Sequence, residues 1–282
     1  MSNEVESSKY LNLEKYNSYE IYHPYYIEMQ NKIINEIATY IKEKIMDANF
    51  TNSLKILEIG PGTGLLTNKY INCINRINEN NCKYRLFCEI DLIEINSENN
   101  LFLENVIKNN QNQKMTINLY NENFIAKNLE KKSYDLILSS FTNHHIQYTE
   151  VQLFYDKISD LLCSKGKFIF GEEYVPHFDL NNDAERIRSL VIYHNRIIFE
   201  ATSNMLFSNN EIEKNCFLKL TELEHISLQK GINKDGEYKV SEKQAKSSMK
   251  EAKLNLVICN KIGPKDDDVD WGGVYFCVAI TE

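Results

Sequence analysis

Between residues 26 and 50 the apolar positions of YIEMQNKIINEIATYIKEKIMDANF recur at three- and four-residue steps, with Ile27, Ile33, Ile34, Ile37, Ile41 and Ile45 among them. That is the period of an amphipathic helix. The pattern then changes. LKILEIG, from Leu54 to Gly60, is a short apolar run of strand length that ends in a glycine turn, and LLTNKYINCINRI returns to helical spacing. YRLFCEID is again a short apolar run, closing on acidic residues. Strand, turn, helix and strand make a first βαβ unit.

The alternation continues. LFLENVIKNN reads as a helix, MTINLY and YDLILSS as strands, VQLFYDKISDLLCS as a helix and GKFIFGEE as a strand, with turn signals such as Ser164-Lys165-Gly166 between them. This order predicts an α/β fold built on a doubly wound, mostly parallel, seven-stranded Rossmann-like sheet. From Glu172 to about Lys250 the strand signal stops, and DAERIRSLVIYHNRIIFEATSNML has the length and composition of a long helix. LNLVICNKI and GGVYFCVAI then read as an antiparallel pair closing the sheet edge. The predicted organisation is therefore a tyrosine-rich lid and helix over 1–50, a core over 51–172, a helical cap over 173–250 and closing strands over 251–282. Asn-rich tracts such as NNQNQ read as loops.

Glycine is needed where the backbone takes positive φ or where a ligand must lie against the chain itself. Gly60, Gly62 and Gly64 stand directly after the first strand, where both reasons apply. Their G-x-G-x-G spacing is not the G-x-G-x-x-G of dinucleotide enzymes, and no G-K-[ST] follows to hold a polyphosphate. The second strand ends in CEIDL, where a carboxylate can accept both hydroxyl hydrogens of a ribose at the topological switch point. Asp91 is the first candidate and Glu89 the second.

LEIGPGTG, the acidic EID, YDLILSSFTNHHI and LLCSKGKFIFGEE together resemble the class I S-adenosylmethionine-dependent methyltransferases, and WGGVYFCVAI fits that family's reversed last strand. The resemblance runs in order from residue 54 to residue 172. It implies S-adenosylmethionine as cofactor and S-adenosylhomocysteine as product. It also implies that Gly60, Gly62 and Gly64 approach the methionine part, that Glu58 helps to hold it, and that Asp91 takes the ribose. A polar residue after the third strand contacts adenine in that family; here Asn123 with Phe124, or Glu122 one place earlier, stands at that position, and Ser140 at the end of the fourth strand completes the predicted cofactor set.

Methyl transfer from a sulfonium is an in-line displacement, so the protein mainly aligns the partners and excludes water, with a base needed only where the acceptor must lose a proton. FTNHHI supplies His144 and His145 as base candidates, and Glu172 ends the fifth strand beside Glu173. Three of the five arginines, Arg186, Arg188 and Arg196, lie in the predicted cap helix, and at ~100° per residue Arg186, Tyr193, Arg196 and Glu200 share a face. A guanidinium grips a carboxylate through two hydrogen bonds, so this face predicts an acidic acceptor, while a helix-surface salt-bridge set is the structural alternative. Tyr19 and Tyr22, in a segment that also holds Tyr16, Tyr25 and Tyr26, offer aromatic faces to a sulfonium or ammonium and hydroxyls to an acceptor.

Composition narrows the class. The chain of 282 residues has a formal net charge of −8 and no dense basic stripe, which disfavours nucleic acid as a partner. Its seven scattered cysteines lack a C-x-x-C pair, and PKDDDVD lacks the EF-hand spacing, so no metal is assigned. The start is polar, and no run is long and apolar enough to span a membrane, so a cytoplasmic protein without membrane contact is expected. The reading is a methyltransferase acting on a small molecule, acidic or amine-bearing. Its rivals are an inactive cofactor-binding partner subunit and, against the absence of an N-P-P-Y tetrad, an RNA-modifying enzyme.

Overall fold

The structure is a computed structural model that describes residues 20–80, 85–265 and 270–281. After a strap over 20–25, helix α1 (Tyr26–Met46) precedes β1 (Ser53–Ile59), α2 (Leu65–Asn80), β2 (Phe87–Ile93), α3 (Asn100–Asn110), β3 (Met115–Tyr120) and β4 (Tyr134–Ser140). Then follow α4 (Val151–Leu161), β5 (Leu162–Tyr174), α5 (Asp183–Phe207), α6 (Glu211–Asn233), α7 (Glu242–Glu251), β6 (Leu254–Gly263) and β7 (Gly273–Thr281).

The seven strands form one sheet in the order β3-β2-β1-β4-β5-β7-β6. The β1, β2, β3, β4 and β5 neighbours pair in parallel, and β7 runs antiparallel to both β5 and β6. The last strand is thus inserted between β5 and β6, and β6 forms the edge. Strand order reverses at β1, whose neighbours are β2 and β4, so the crevice beyond the carboxyl ends of these three strands is where a ligand is received in such sheets.

Both faces of the sheet are covered, which is why its strands are near-continuous apolar runs rather than alternating ones. On one face the stripe Met29, Ile33, Ile37 and Ile41 of α1 packs with Tyr70, Ile71 and Ile74 of α2 and Leu103 of α3 over Ile56, Ile90, Leu136, Ile169 and Val278. On the other, Phe154 and Ile158 of α4 and Ala245 and Met249 of α7 cover Leu57, Ile137, Phe168, Phe170 and Cys277. Gly171 lets α1 cross close to β5, since a Cβ there would fall 1.9 Å from Met29 Sδ.

The cap is an α5–α6 hairpin. Each helix begins on an asparagine whose side chain accepts a backbone N–H, Asn182 from Glu185 and Asn210 from Ile212, and α7 begins with a full capping box on Ser241 and Gln244. The hairpin has its own small cores, Val175, Phe178, Leu190, Tyr193, Ile197 and Leu228 near the sheet and Ala201, Phe217 and Leu220 further out. Tyr22 of the strap packs edge-on against Phe217, with ring centroids 5.1 Å apart. No helix among the described residues is long and apolar enough to cross a membrane.

Ile37 is fully buried at the centre of the α1 stripe. Ile37→Ala is expected to cost about 2–5 kcal/mol, by lost transfer energy and the cavity left behind, and urea denaturation followed by far-UV circular dichroism measures it.

Candidate active site

A cavity of about 510 Å³ opens at the carboxyl ends of β1 to β4, within the range of small-molecule sites. Four strand-end segments form its floor: Gly60 to Thr63 after β1, Glu94 to Asn96 after β2, Glu122 to Phe124 after β3 and Ser140 to Thr142 after β4. Glu20 and Tyr26 cover it from the strap and the start of α1, and His145, Gly236 and Tyr238 close the cap side.

The glycine turn is dictated by backbone geometry. Gly60 and Gly62 have φ of +62° and +57°, a region that L side chains rarely adopt. A Cβ on Gly60 would also fall 2.4 Å from Thr142 Cγ2, whereas one on Gly62 meets nothing within 4 Å. The first glycine therefore brings the β4 loop close, and the second leaves open space beside the cavity. Glu58 is buried beneath the turn and accepts a hydrogen bond from Thr67 Oγ1 at 2.7 Å. Burial pushes its carboxyl up to about 7, against that hydrogen bond.

The acid at the end of β2 is not the one expected. Strand β2 runs on to Ile93, so Asp91 lies inside it, buried, accepting from Tyr134 Oη at 2.6 Å and Asn118 Nδ2 at 2.8 Å. It does not line the cavity, and Glu89 is tied to Lys55 at 3.1 Å. Glu94, the first carboxylate past the strand, does line it. Its two oxygens accept the backbone N–H of Gly62 at 2.9 Å and of Asn96 at 2.8 Å, binding the β1 and β2 loops together. The apolar Leu92 and Ile93 after Asp91 were the signal that the strand continues.

Asn123, Phe124 and Ser140 all line the cavity. Asn123 Oδ1 is turned to its own loop, where it accepts the N–H of Ile125 at 2.7 Å. Phe124 packs edge-on against Phe154, and the buried Ser140 hydroxyl has no hydrogen-bond partner among the described residues.

The two histidines divide. His145 lines the cavity and its Nδ1–H donates to Gly236 O at 2.7 Å. Burial and the neighbouring His144 lower it to about 4, so the ring is neutral at pH 7, with Nε2 unprotonated. His144 does not reach the cavity. Its Nδ1 lies 2.6 Å from Glu172 Oε1, whose carboxylate raises it against the opposing effects of burial and Lys239. Glu172 Oε2 also accepts the N–H of Asn143 at 2.7 Å, so this carboxylate fixes the β4 loop rather than contacting an acceptor.

The expected acidic-acceptor face is also corrected. Arg186 is buried, and its guanidinium donates to Gly231 O at 2.6 Å, Ile232 O at 2.9 Å and Asp183 at 2.9 Å, satisfying the last carbonyls of α6. Arg196 pairs with Glu200 at 2.9 Å and lies over the rings of Phe199 and Trp271. Tyr193 donates to Glu173 at 2.5 Å. None of the three lines the cavity, and neither does Tyr22. Tyr19 lies outside the described residues, as do Asp266, Asp267 and Asp268 of the acidic loop.

Beside the cavity is a buried charge cluster that the sequence did not announce. His23 Nε2 lies 3.1 Å from Glu173 Oε1 and 3.4 Å from Glu224 Oε1. Lys239 Nζ lies 3.1 Å from Glu173 and 2.9 Å from Glu237, and His194 Nδ1 lies 2.8 Å from Glu224. Burial would lower His23, but the two carboxylates outweigh it and hold the imidazolium up to about 10. Two groups here, His23 with Glu173 and Glu224 and His144 with His145 and Glu237, bring potential metal-ligand atoms within 4.8 Å of one another. In each, the Lys239 ammonium already contacts a carboxylate and supplies positive charge.

Residues 57–170 match the family model described as a methyltransferase domain. No curated protein matches the chain. Among solved structures, the DszA carbon methyltransferase aligns at a TM-score of 0.55 and 12% identity, over 90% of this chain and 54% of that one. The CMeT domain of the citrinin polyketide synthase aligns at 0.51 and 13%, over 88% and 52%. Phosphoethanolamine N-methyltransferase 2 of Haemonchus contortus, solved with S-adenosyl-L-methionine, aligns at 0.51 and 12%, over 88% and 52%. The chain thus spans about half the length of these structures and shares their fold.

The His23 pairs join the strap to the sheet and to α6. Removing one partner of a buried pair strands the others, so His23→Gln is expected to cost about 3–5 kcal/mol at pH 7. The raised value makes this contribution fully present below about pH 6.5 and lost as pH rises through about 10. Urea denaturation of both proteins from pH 6.5 to 10 should show the gap between them closing upward.

Proposed function

We propose that the chain, whose residues 57–170 match a methyltransferase domain, transfers a methyl group from S-adenosylmethionine to a small-molecule acceptor held in the cavity beneath the strap. The observation that carries this reading is the convergence of four strand-end loops on one small, covered cavity. The open space beside Gly62 and the unpartnered Ser140 hydroxyl fit a bound group there.

When bound, S-adenosylmethionine supplies an activated methyl group on a sulfonium. In this reading the turn over Gly60, Gly62 and Gly64, with Glu58 beneath it, takes the methionine part. Glu94, on the cavity wall at the end of β2, takes the ribose hydroxyls. Phe124 offers an apolar ring and Asn123 its loop to adenine, and Ser140 offers a free donor. Strap and cap exclude water from the transfer, which is the main service such a displacement asks of a protein. His145, neutral and facing the cavity, orients the acceptor by accepting a hydrogen bond at Nε2.

An acceptor held by Arg186 and Arg196 is not supported, because both are spent on cap structure. A nucleic acid is disfavoured by the net charge of −8 and by a cavity wall that holds Glu20, Glu58, Glu94, Glu122 and Glu150. A cytoplasmic location is part of the same reading, supported by the free cysteines among the described residues.

Calorimetric titration with S-adenosylmethionine tests the cofactor site. One-to-one micromolar binding is expected. Glu94→Ala should weaken it by about 1–3 kcal/mol through the lost hydroxyl contacts, and Asp91→Asn should leave it nearly unchanged. The opposite order would return the ribose to Asp91, and no binding by folded protein would overturn the reading.

A further inference from the structure

Among the described residues the cavity wall carries five carboxylates and neither a lysine nor an arginine, and its single imidazole, on His145, is neutral. Three of the five are engaged. Glu58 accepts from Thr67, Glu94 binds two backbone N–H groups, and Glu122 pairs with Lys127 at 2.7 Å. Of the other two, Glu20 is the one built into an aromatic corner.

A relay of side chains fixes it. Lys69 Nζ donates to Gln30 Oε1, the fully buried Gln30 donates through Nε2 to Tyr26 Oη at 2.6 Å, and the Tyr26 hydroxyl hydrogen-bonds Glu20. Tyr26 lies against Phe141, with ring centroids 5.2 Å apart, and both rings line the cavity with Glu20. A carboxylate beside aromatic rings on one cavity wall is the chemistry that selects a cation. Lys69 and His23 act on Glu20 as positive charges and Glu173 as a negative one. Lys69 is turned to Gln30, and His23 is held by Glu173 and Glu224, so none of them closes an ion pair on Glu20 in the described residues.

From this geometry we infer that the acceptor is an amine, bound as its ammonium form by Glu20 on the wall that Tyr26 and Phe141 also line, with Glu20 taking the proton that frees the nitrogen lone pair. The N–H bond breaks, the proton joins a Glu20 oxygen, and the bonding pair stays on nitrogen, which is then neutral and nucleophilic. A carboxylate suits this task when its own affinity for protons lies near the working pH. Burial pushes Glu20 up to about 7, with the Tyr26 hydrogen bond opposing. The inference rests on the cofactor reading above and adds the acceptor class to it.

The test is calorimetry on the full chain saturated with S-adenosylhomocysteine, using three probes of one shape: phenethylamine, 2-phenylethanol and 3-phenylpropionate. The amine should bind about tenfold or more tightly than the alcohol, and the carboxylate more weakly than the alcohol. Glu20→Gln should remove the preference for the amine and leave S-adenosylhomocysteine affinity unchanged, a readout that a misfolded variant would fail. Absence of the amine preference in the native protein, or its survival in Glu20→Gln, overturns this inference while the cofactor site stands. Failure of S-adenosylhomocysteine to bind overturns both.

Discussion

Two adjacent buried carboxylates at the carboxyl end of β5, Glu172 and Glu173, set the terms for everything above the sheet. An ionised carboxylate out of water is tolerated only when its oxygens are paired, and each of these recruits separate parts of the chain. Glu172 draws in the β4 loop through Asn143 and His144. Glu173 draws in the strap through His23, helix α5 through Tyr193 and the segment before α7 through Lys239. Burial alone would raise Glu173, yet Lys239 and His23 hold it well below the usual carboxylate range.

This arrangement explains why strap and cap meet over the cavity. Among the described residues they meet through Tyr22 on Phe217 and a hydrogen bond from Tyr25 to Glu200. Their relative position is instead fixed by charge: His23 stands between Glu173 of the sheet and Glu224 of the cap, so a shift of either element leaves a buried ion unpaired. Such networks add little net stability over apolar packing, but they penalise wrong arrangements steeply.

The floor of the cavity obeys a different constraint. Gly60 and Gly62 let the backbone turn without side chains, and Glu94 ties that turn to the β2 loop through the Gly62 N–H. The floor is therefore shaped by backbone geometry and the roof by paired charges. Between them lies a carboxylate-rich wall, which suits a cationic cofactor and a cationic acceptor far better than an anionic one.

The sequence by itself determined the sheet, helices α1 to α4 and the glycine turn, because these follow from local periodicity and backbone sterics that any short window displays, whereas α7 was expected in the cap and packs on the sheet. It also placed His145, Glu58, Asn123, Phe124 and Ser140 at the cavity, since residues just past a strand end fall at the same sheet edge. Tertiary structure alone decided which acid stands at the end of β2, because a strand's last residue is set by pairing with its neighbours, and Ile93 is held opposite Ile59 and Tyr120. It likewise decided that Arg186 and Arg196 serve the cap, that His144 and His145 part company, and that Glu20 faces the cavity. Most of these outcomes depend on partners far along the chain, such as Gly231 for Arg186 or Glu173 and Glu224 for the strap that carries Glu20, and such long-range pairing leaves no periodic trace in the chain.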